Sequence, residues 1–182
     1  MIYGERLRLR ALERSDVPQY YEWVNDPEVT AGLTLFLPMS TLDEEKWFED
    51  STQRPQETRP LVIEIQEGDG WRMVGNCSFI ELDWVARSAE FGIMIGDKTV
   101  WNRGYGTETV LLLLQHGFNT LNLNRISLKV FADNERAIRA YEKAGFVQEG
   151  RMRQAVYRQG RYWDVLFMSV LREEWSARTE ED

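Results

Sequence analysis

Residues 89–145 read AEFGIMIGDKTVWNRGYGTETVLLLLQHGFNTLNLNRISLKVFADNERAIRAYEKAG, and the order of patterns within them decides the fold. Residues 90–95 form a short strand-like run that enters a turn rich in Gly and Asn. From Gly104 the pattern becomes helical, with Val110, Leu113, Leu114, Gly117, Phe118 and Leu121 recurring on one face. Residues 125–131 are β-like again. After Asp133 and Asn134 a second helix runs to a stop at Gly145. The spacing predicts β-α-β-α, with glycines where the first strand hands over to the first helix.

Those glycines have a physical reading. A helix N-terminus presents unpaired backbone N–H groups and the positive end of the helix dipole, which together suit a phosphate. Gly104 and Gly106 remove the β-carbons that would hold a pyrophosphate away from those N–H groups. Other phosphate loops fit less well. A dinucleotide fingerprint needs a third glycine where Thr109 stands, and the Gly-Lys-Ser/Thr of a P-loop is absent. The alternative is a helix start that merely carries two glycines.

Two motifs at a defined separation separate these readings. The window Trp101-Asn102-Arg103-Gly104-Tyr105-Gly106 resembles the Gln/Arg-x-x-Gly-x-Gly/Ala loop of the GNAT superfamily of acetyl-CoA-dependent N-acetyltransferases. Trp101 departs from the general pattern at the first position. An aromatic residue there is a habit of the branch that acetylates ribosomal-protein N-termini and polyamines. The pattern Asn-x-x-Ala-x-x-x-Tyr-x-x-x-Gly-Phe of the same superfamily is met at Asn134, Ala137, Tyr141, Gly145 and Phe146. The likeness extends more loosely to EWVNDPEV near the start and to RMRQAVYRQGRYWDVLFM near the end.

The resemblance implies an α/β fold of GNAT type: a mixed, mostly antiparallel, twisted sheet with helices on both faces, splayed between its fourth and fifth strands to admit acetyl-CoA. It implies a single domain over residues 1–175, followed by a charged tail over residues 176–182. The activity implied is acetyl transfer to a primary amine by direct attack in a ternary complex. The acceptor is a protein N-terminus, a polyamine or another small amine. A non-catalytic acyl-CoA-binding sensor or scaffold of the same fold is the competing reading. Homodimers are common in the family.

Composition sets bounds. The 182 residues suffice for one domain, which buries about 70% of its unfolded surface. A net charge of −8 argues against nucleic acid and is compatible with a cationic substrate. The single cysteine, Cys77, excludes an intramolecular disulfide and fits the reducing cytoplasm. No apolar run approaches the roughly 20 residues of a membrane span. One histidine and one cysteine also argue against a transition-metal site.

Along the remaining chain, residues 6–10 alternate as a half-buried strand with a solvated arginine face. Ser15 is placed to cap a helix carrying Val17, Tyr20, Tyr21 and Val24, which Asn25-Asp26-Pro27 ends. Residues 28–40 read as irregular, and Thr41 with Glu44 as a capping box for a helix carrying Trp47 and Phe48. Residues 61–65 and 73–81 are joined by the hairpin signal Asp69-Gly70, and residues 146–157 and 162–171 form a last strand pair. Its arginines, Arg151, Arg153, Arg158 and Arg161, read as a solvated hairpin face.

Amide formation from a thioester needs a neutral amine, a donor for the carbonyl oxygen and a proton for the departing thiolate. It needs no covalent enzyme intermediate, in keeping with the lack of a nucleophile constellation. The resemblance makes Tyr141 the general acid at the coenzyme sulfur, against the plain reading of a tyrosine packed with Ala137, Ile138 and Ala144. It makes Glu90 the base, against that of an ordinary exposed strand glutamate. Coenzyme contacts fall to the backbone of Met94, Ile95 and Gly96 for the pantetheine arm. The loop of Asn102, Arg103, Gly104, Tyr105, Gly106 and Thr107 takes the pyrophosphate, and Asn134 combines a coenzyme contact with a helix cap.

Overall fold

The computed structural model describes residues 1–179. The described chain forms two compact units, Met1–Phe79 with Gly92–Tyr105, and Ile80–Phe91 with the chain from Gly106 onward.

The first unit is built on antiparallel pairing. Strands β1 (Ile2–Tyr3), β2 (Leu7–Ala11), β3 (Leu61–Glu67) and β4 (Gly70–Asp83) follow one another in the sheet, and β4 neighbours β5 (Ser88–Ile95). Period-two burial places Leu7 and Leu9 in the core, as the alternation of residues 6–10 requires. The arginines between them are not a solvated face. Arg8 and Arg10 donate to the buried Glu64 carboxylate at 2.6 and 2.8 Å, and Arg10 also pairs with the buried Asp16 at 2.7 Å. Buried acids are tolerated when paired in this way.

Helix α1 (Val17–Val24) buries Val17, Tyr20 and Trp23, and ends before Pro27 as expected. Its start is set by Asp16 and a preceding 3-10 turn at Arg14–Asp16, so Ser15 is not the cap. Asp26 caps a four-residue helix α2 (Pro27–Thr30) inside the stretch read as irregular, its side chain accepting from the Glu28 N–H at 2.9 Å. Helix α3 (Thr41–Thr52) starts one residue earlier than its predicted signal. Ser40 and Asp43 form the reciprocal capping box, which frees Glu44 to turn inward and become buried. Trp47 lies edge-on to Tyr20 at 5.2 Å between ring centroids, and joins a cluster of Tyr20, Trp23, Val29 and Met94. Phe48 carries the Arg14 guanidinium at 4.9 Å.

The second unit holds helix α4 (Tyr105–Gln115, entered at the end of the first unit), β6 (Arg125–Phe131), α5 (Glu135–Lys143), β7 (Val147–Arg158), β8 (Arg161–Leu171) and α6 (Arg172–Thr179). β5 runs parallel to β6 only where Ser88, Ala89 and Glu90 face Arg125, Ile126 and Ser127. β6 pairs antiparallel with β8, and β8 with β7. The apolar stripe of α4 is buried at Val110, Leu113 and Leu114, and a wider turn over His116–Thr120 buries Phe118. Residues 176–179, expected to belong to a tail, continue α6; residues 180–182 lie outside the described residues.

The hairpin arginines are engaged rather than merely solvated. Arg151 meets Asp164 at 2.5 Å and Arg158 meets Asp133 at 2.6 Å, with Arg158 also stacked on Phe131 and Trp163. A further pair ties β6 to β7. Arg125 grips both oxygens of Glu149, and the Ser169 hydroxyl donates to the same carboxylate at 2.8 Å. Arg125, aided by Ser169, pulls the Glu149 carboxyl down from 4.5 to about 2. A depressed folded-state value gives stability that is present above the unfolded value and lost as pH falls through the folded one. Glu149→Gln is therefore expected to be less stable than wild type at neutral pH, with the gap closing between about pH 4.5 and pH 2. Urea midpoints measured across that window check this, and a gap that stays constant with pH would show that the ion pair contributes nothing. The side chain is 42% exposed, so the effect is modest.

Candidate active site

The loop expected to take the pyrophosphate is shaped by two residues with left-handed backbone. Asn102 has φ +61° and Gly104 φ +86°, after which the chain enters α4 at Tyr105. Asparagine tolerates that region better than most side chains, and glycine tolerates it freely. Trp101, the position that departs from the general pattern, anchors the loop's start. Its indole N–H donates to the Ile95 carbonyl at 2.9 Å, and its ring packs on the Tyr20–Trp23 cluster.

Gly106 differs from Gly104 in an informative way. Its backbone is not left-handed, and a β-carbon placed there meets nothing within 4 Å. Glycine in a helix costs roughly 1 kcal/mol relative to alanine, so the fold alone favours a side chain here. What glycine preserves is open room over the first turn of α4, where a helix directs N–H groups that have no intrahelical acceptor. The residues present thus fit a pyrophosphate held by backbone donors.

The end of β5 is more committed than sequence reasoning anticipated. The Gly96 N–H donates to the Val74 carbonyl at 2.9 Å, and a β-carbon on Gly96 would collide with the Trp23 indole. Gly96 is therefore required by packing, and its N–H is already used. The Ile95 carbonyl already accepts from Trp101. Met94 is buried in the aromatic cluster, which leaves main-chain groups alone for any ligand contact.

In the second unit, α5 explains much of the Asn-x-x-Ala-x-x-x-Tyr-x-x-x-Gly-Phe pattern as helix capping. The Asn134 side chain accepts from the Ala137 N–H at 3.2 Å. At the other end Gly145, at φ +100°, allows the Phe146 N–H to reach the Tyr141 carbonyl and its own N–H to reach that of Glu142, both at 3.0 Å. These are the two bonds of a Schellman cap. The Tyr141 ring completes the cap against Phe146 and lies edge-on to Phe91 of β5, each at 5.9 Å between centroids. Burial pushes the Tyr141 phenol up to about 12, so it holds its proton at neutral pH.

Glu90 precedes Phe91 on β5, so strand alternation sends the two side chains to opposite faces. Tyr141 and Glu90 accordingly lie on opposite sides of that strand. Lys129 of β6 meets Glu90 at 2.8 Å, a partner that sequence reasoning missed. Finding it required the β5–β6 register, which no local signal carries. Cys77 and His116 show no catalytic arrangement: Cys77 is buried, which pushes its thiol up, and His116 begins the wide turn after α4. Among the described residues no group of three His, Cys, Asp or Glu side chains is placed to hold a metal, and no helix is long and apolar enough to cross a membrane.

The profile of the acetyltransferase (GNAT) domain matches residues 6–147. An uncharacterized N-acetyltransferase, p20 of Bacillus licheniformis, is 33% identical over 97% of this chain and 98% of its own length. The spermidine N(1)-acetyltransferase of Vibrio cholerae serotype O1 is 31% identical over 97% of this chain and 99% of its own. A crystal structure of spermidine N-acetyltransferase from Vibrio cholerae, in complex with CoA and spermine, superimposes with a TM-score of 0.86 at 28% identity, over 95% of this chain and 99% of that one. On that profile match and these full-length likenesses, the chain is a member of the GNAT family of N-acetyltransferases, enzymes that move an acetyl group from acetyl-CoA to an amine.

Proposed function

We propose that the chain acetylates a polyamine, or a small aliphatic amine of that kind. The observation that carries this reading is the full-length similarity to a spermidine N(1)-acetyltransferase, 31% identical over 97% of the chain. A net charge of −8 supports it by favouring cationic acceptors. Both compact units are read as parts of one catalytic domain, because the family profile runs through residues of each.

Acetyl-CoA, when bound, supplies the thioester carbonyl and the thiolate leaving group. The loop from Asn102 to Thr107 holds its pyrophosphate by backbone N–H groups, and main-chain groups near Met94 and Ile95 guide the pantetheine arm. Glu90 takes a proton from the incoming ammonium, directly or through water. The free amine then attacks, the C–N bond forms, the C–S bond breaks and the Tyr141 proton goes to the sulfur, while the second proton leaving the nitrogen passes through water to restore the tyrosine hydroxyl.

A panel of spermidine, an alanine-initiated peptide and an aminoglycoside, assayed for thiol release from acetyl-CoA with products identified by mass spectrometry, tests the acceptor. Spermidine is expected to give the highest kcat/KM. Turnover of the peptide with none of spermidine would overturn the polyamine reading while leaving the acetyl transfer intact.

For Glu90, the ion pair with Lys129 moderates the expected effect. Glu90→Gln should lower kcat at pH 7 by roughly tenfold, below the usual range for a general base. The deficit should shrink as pH approaches the amine's own value of about 10.4, where the acceptor deprotonates without help. A rise in KM with kcat unchanged would instead make Glu90 a cation attractor.

A further inference from the structure

Arg6 lies 97 positions before Arg103 of the phosphate loop and contacts two of the loop's residues. Its Nη1 donates to the Arg103 carbonyl at 3.2 Å. Its guanidinium carbon lies 4.7 Å from the Tyr105 ring centroid. Its Nη2 stands 3.3 Å from where a β-carbon on Gly104 would be. The Arg6 main chain is itself fixed, since its carbonyl accepts from the Gln66 N–H at 3.0 Å immediately before β2 begins. The side chain therefore reaches from the sheet to the central part of the loop.

The loop needs such a support. Asn102 and Gly104 both occupy the left-handed region, which costs a non-glycine residue and gives a glycine-containing loop many competing conformations. Backbone donors bind a phosphate tightly only when they converge before the ligand arrives, because ordering them afterwards subtracts from affinity. Within the first unit the contacts above join Arg103 and Tyr105, on either side of Gly104, to one planar group. A guanidinium can donate in its plane while stacking on a ring through its face, which an ammonium cannot do.

We infer that Arg6 is a positioning residue for coenzyme binding: it braces Arg103 and Tyr105, and so the turn at Gly104 between them, so that the loop's N–H groups are preset for the pyrophosphate. The inference rests on reading residues 102–107 as the phosphate loop. It also gives Gly104 a second reason to be glycine, since a β-carbon would press on the brace.

The test compares Arg6→Ala and Arg6→Lys using two acyl donors. One is acetyl-CoA and the other S-acetylpantetheine, which lacks the pyrophosphate and nucleotide. Arg6→Ala should weaken CoA binding by about tenfold in calorimetry. It should leave kcat at saturating acetyl-CoA unchanged, and should leave kcat/KM for S-acetylpantetheine at the wild-type value. Arg6→Lys, which keeps the charge but loses the fork and the stacking, should resemble Arg6→Ala. Equal losses with both donors would make Arg6 a general structural residue and overturn the inference. Full recovery by lysine would replace a brace with a simple charge, and unchanged CoA affinity in Arg6→Ala would remove Arg6 altogether. Gly106→Val, measured alongside, separates the two levels. If it binds CoA normally the loop reading itself fails, whereas if it loses CoA and Arg6→Ala does not, only the brace fails.

Discussion

Gly106→Val is expected to fold like the wild type and to bind CoA roughly a hundredfold less tightly, the loss of one or two hydrogen bonds to a charged group at about 1.5–3 kcal/mol each. The expectation follows from what surrounds Gly106. Apart from its own helix and chain neighbours, a β-carbon at this position has no atom within 4 Å, so the branch point of valine is accommodated without a clash. Valine also has a higher helix propensity than glycine, so α4 should not weaken. The added side chain stands where a pyrophosphate would approach the first turn. Gly104→Ala is the contrasting case: φ is +86° and Arg6 is 3.3 Å away, so strain and lost affinity arrive together there. Gly150→Val provides the control, because Gly150 also has open space but belongs to β7, away from the loop in sequence and in role. Calorimetry with CoA, after circular dichroism has shown matching folds, decides the matter. A folded Gly106→Val with wild-type affinity would remove the phosphate-loop assignment.

The β-α-β-α core was legible because its signals are local. A buried stripe at helical spacing, glycines at a strand–helix junction and a capped second helix are all written within a few residues of where they act. The misplaced starts of α1 and α3 show the limit of that reading. Ser15 and Thr41 have suitable chemistry, but Asp16 and Ser40 hold the cap positions, and only backbone geometry separates neighbours. Long-range features were harder still. The pairing of Glu90 with Lys129, of Arg158 with Asp133, and of Arg6 with the loop each depends on strand register or tertiary placement, and arginines read as a solvated face proved to be paired or stacked. Trp101 illustrates the same point from the other side. As a departure from the motif it carried no mechanism in sequence; in the structure its indole N–H fastens the loop to the end of β5.

The α5 motif poses a sharper question, because capping accounts for so much of it. Asn134 fixes the first turn, Gly145 and Phe146 close the last, and the Tyr141 ring packs on Phe91 and Phe146. All of that would be served by phenylalanine at position 141. The hydroxyl is the one part of the residue that neither the cap nor the ring contacts require. Tyr141→Phe is therefore expected to preserve thermal stability and CoA affinity, since the ring stays and the proton matters only as the thiolate departs. Turnover of the best acceptor should fall by about 10²-fold or more, the usual loss for a general acid. A residual rate is expected because positioning by the loop and β5 survives. The pH dependence gives a second readout. Burial places the phenol at about 12, so wild-type kcat should show no loss of the acid form through neutral pH. An acyl donor with a more acidic thiol needs less protonation as it leaves, so a thioester of an aromatic thiol should suffer less from the substitution than acetyl-CoA does. Wild-type turnover in Tyr141→Phe with both donors would make the tyrosine a capping and packing residue, and would leave the thiolate to depart with a proton from water.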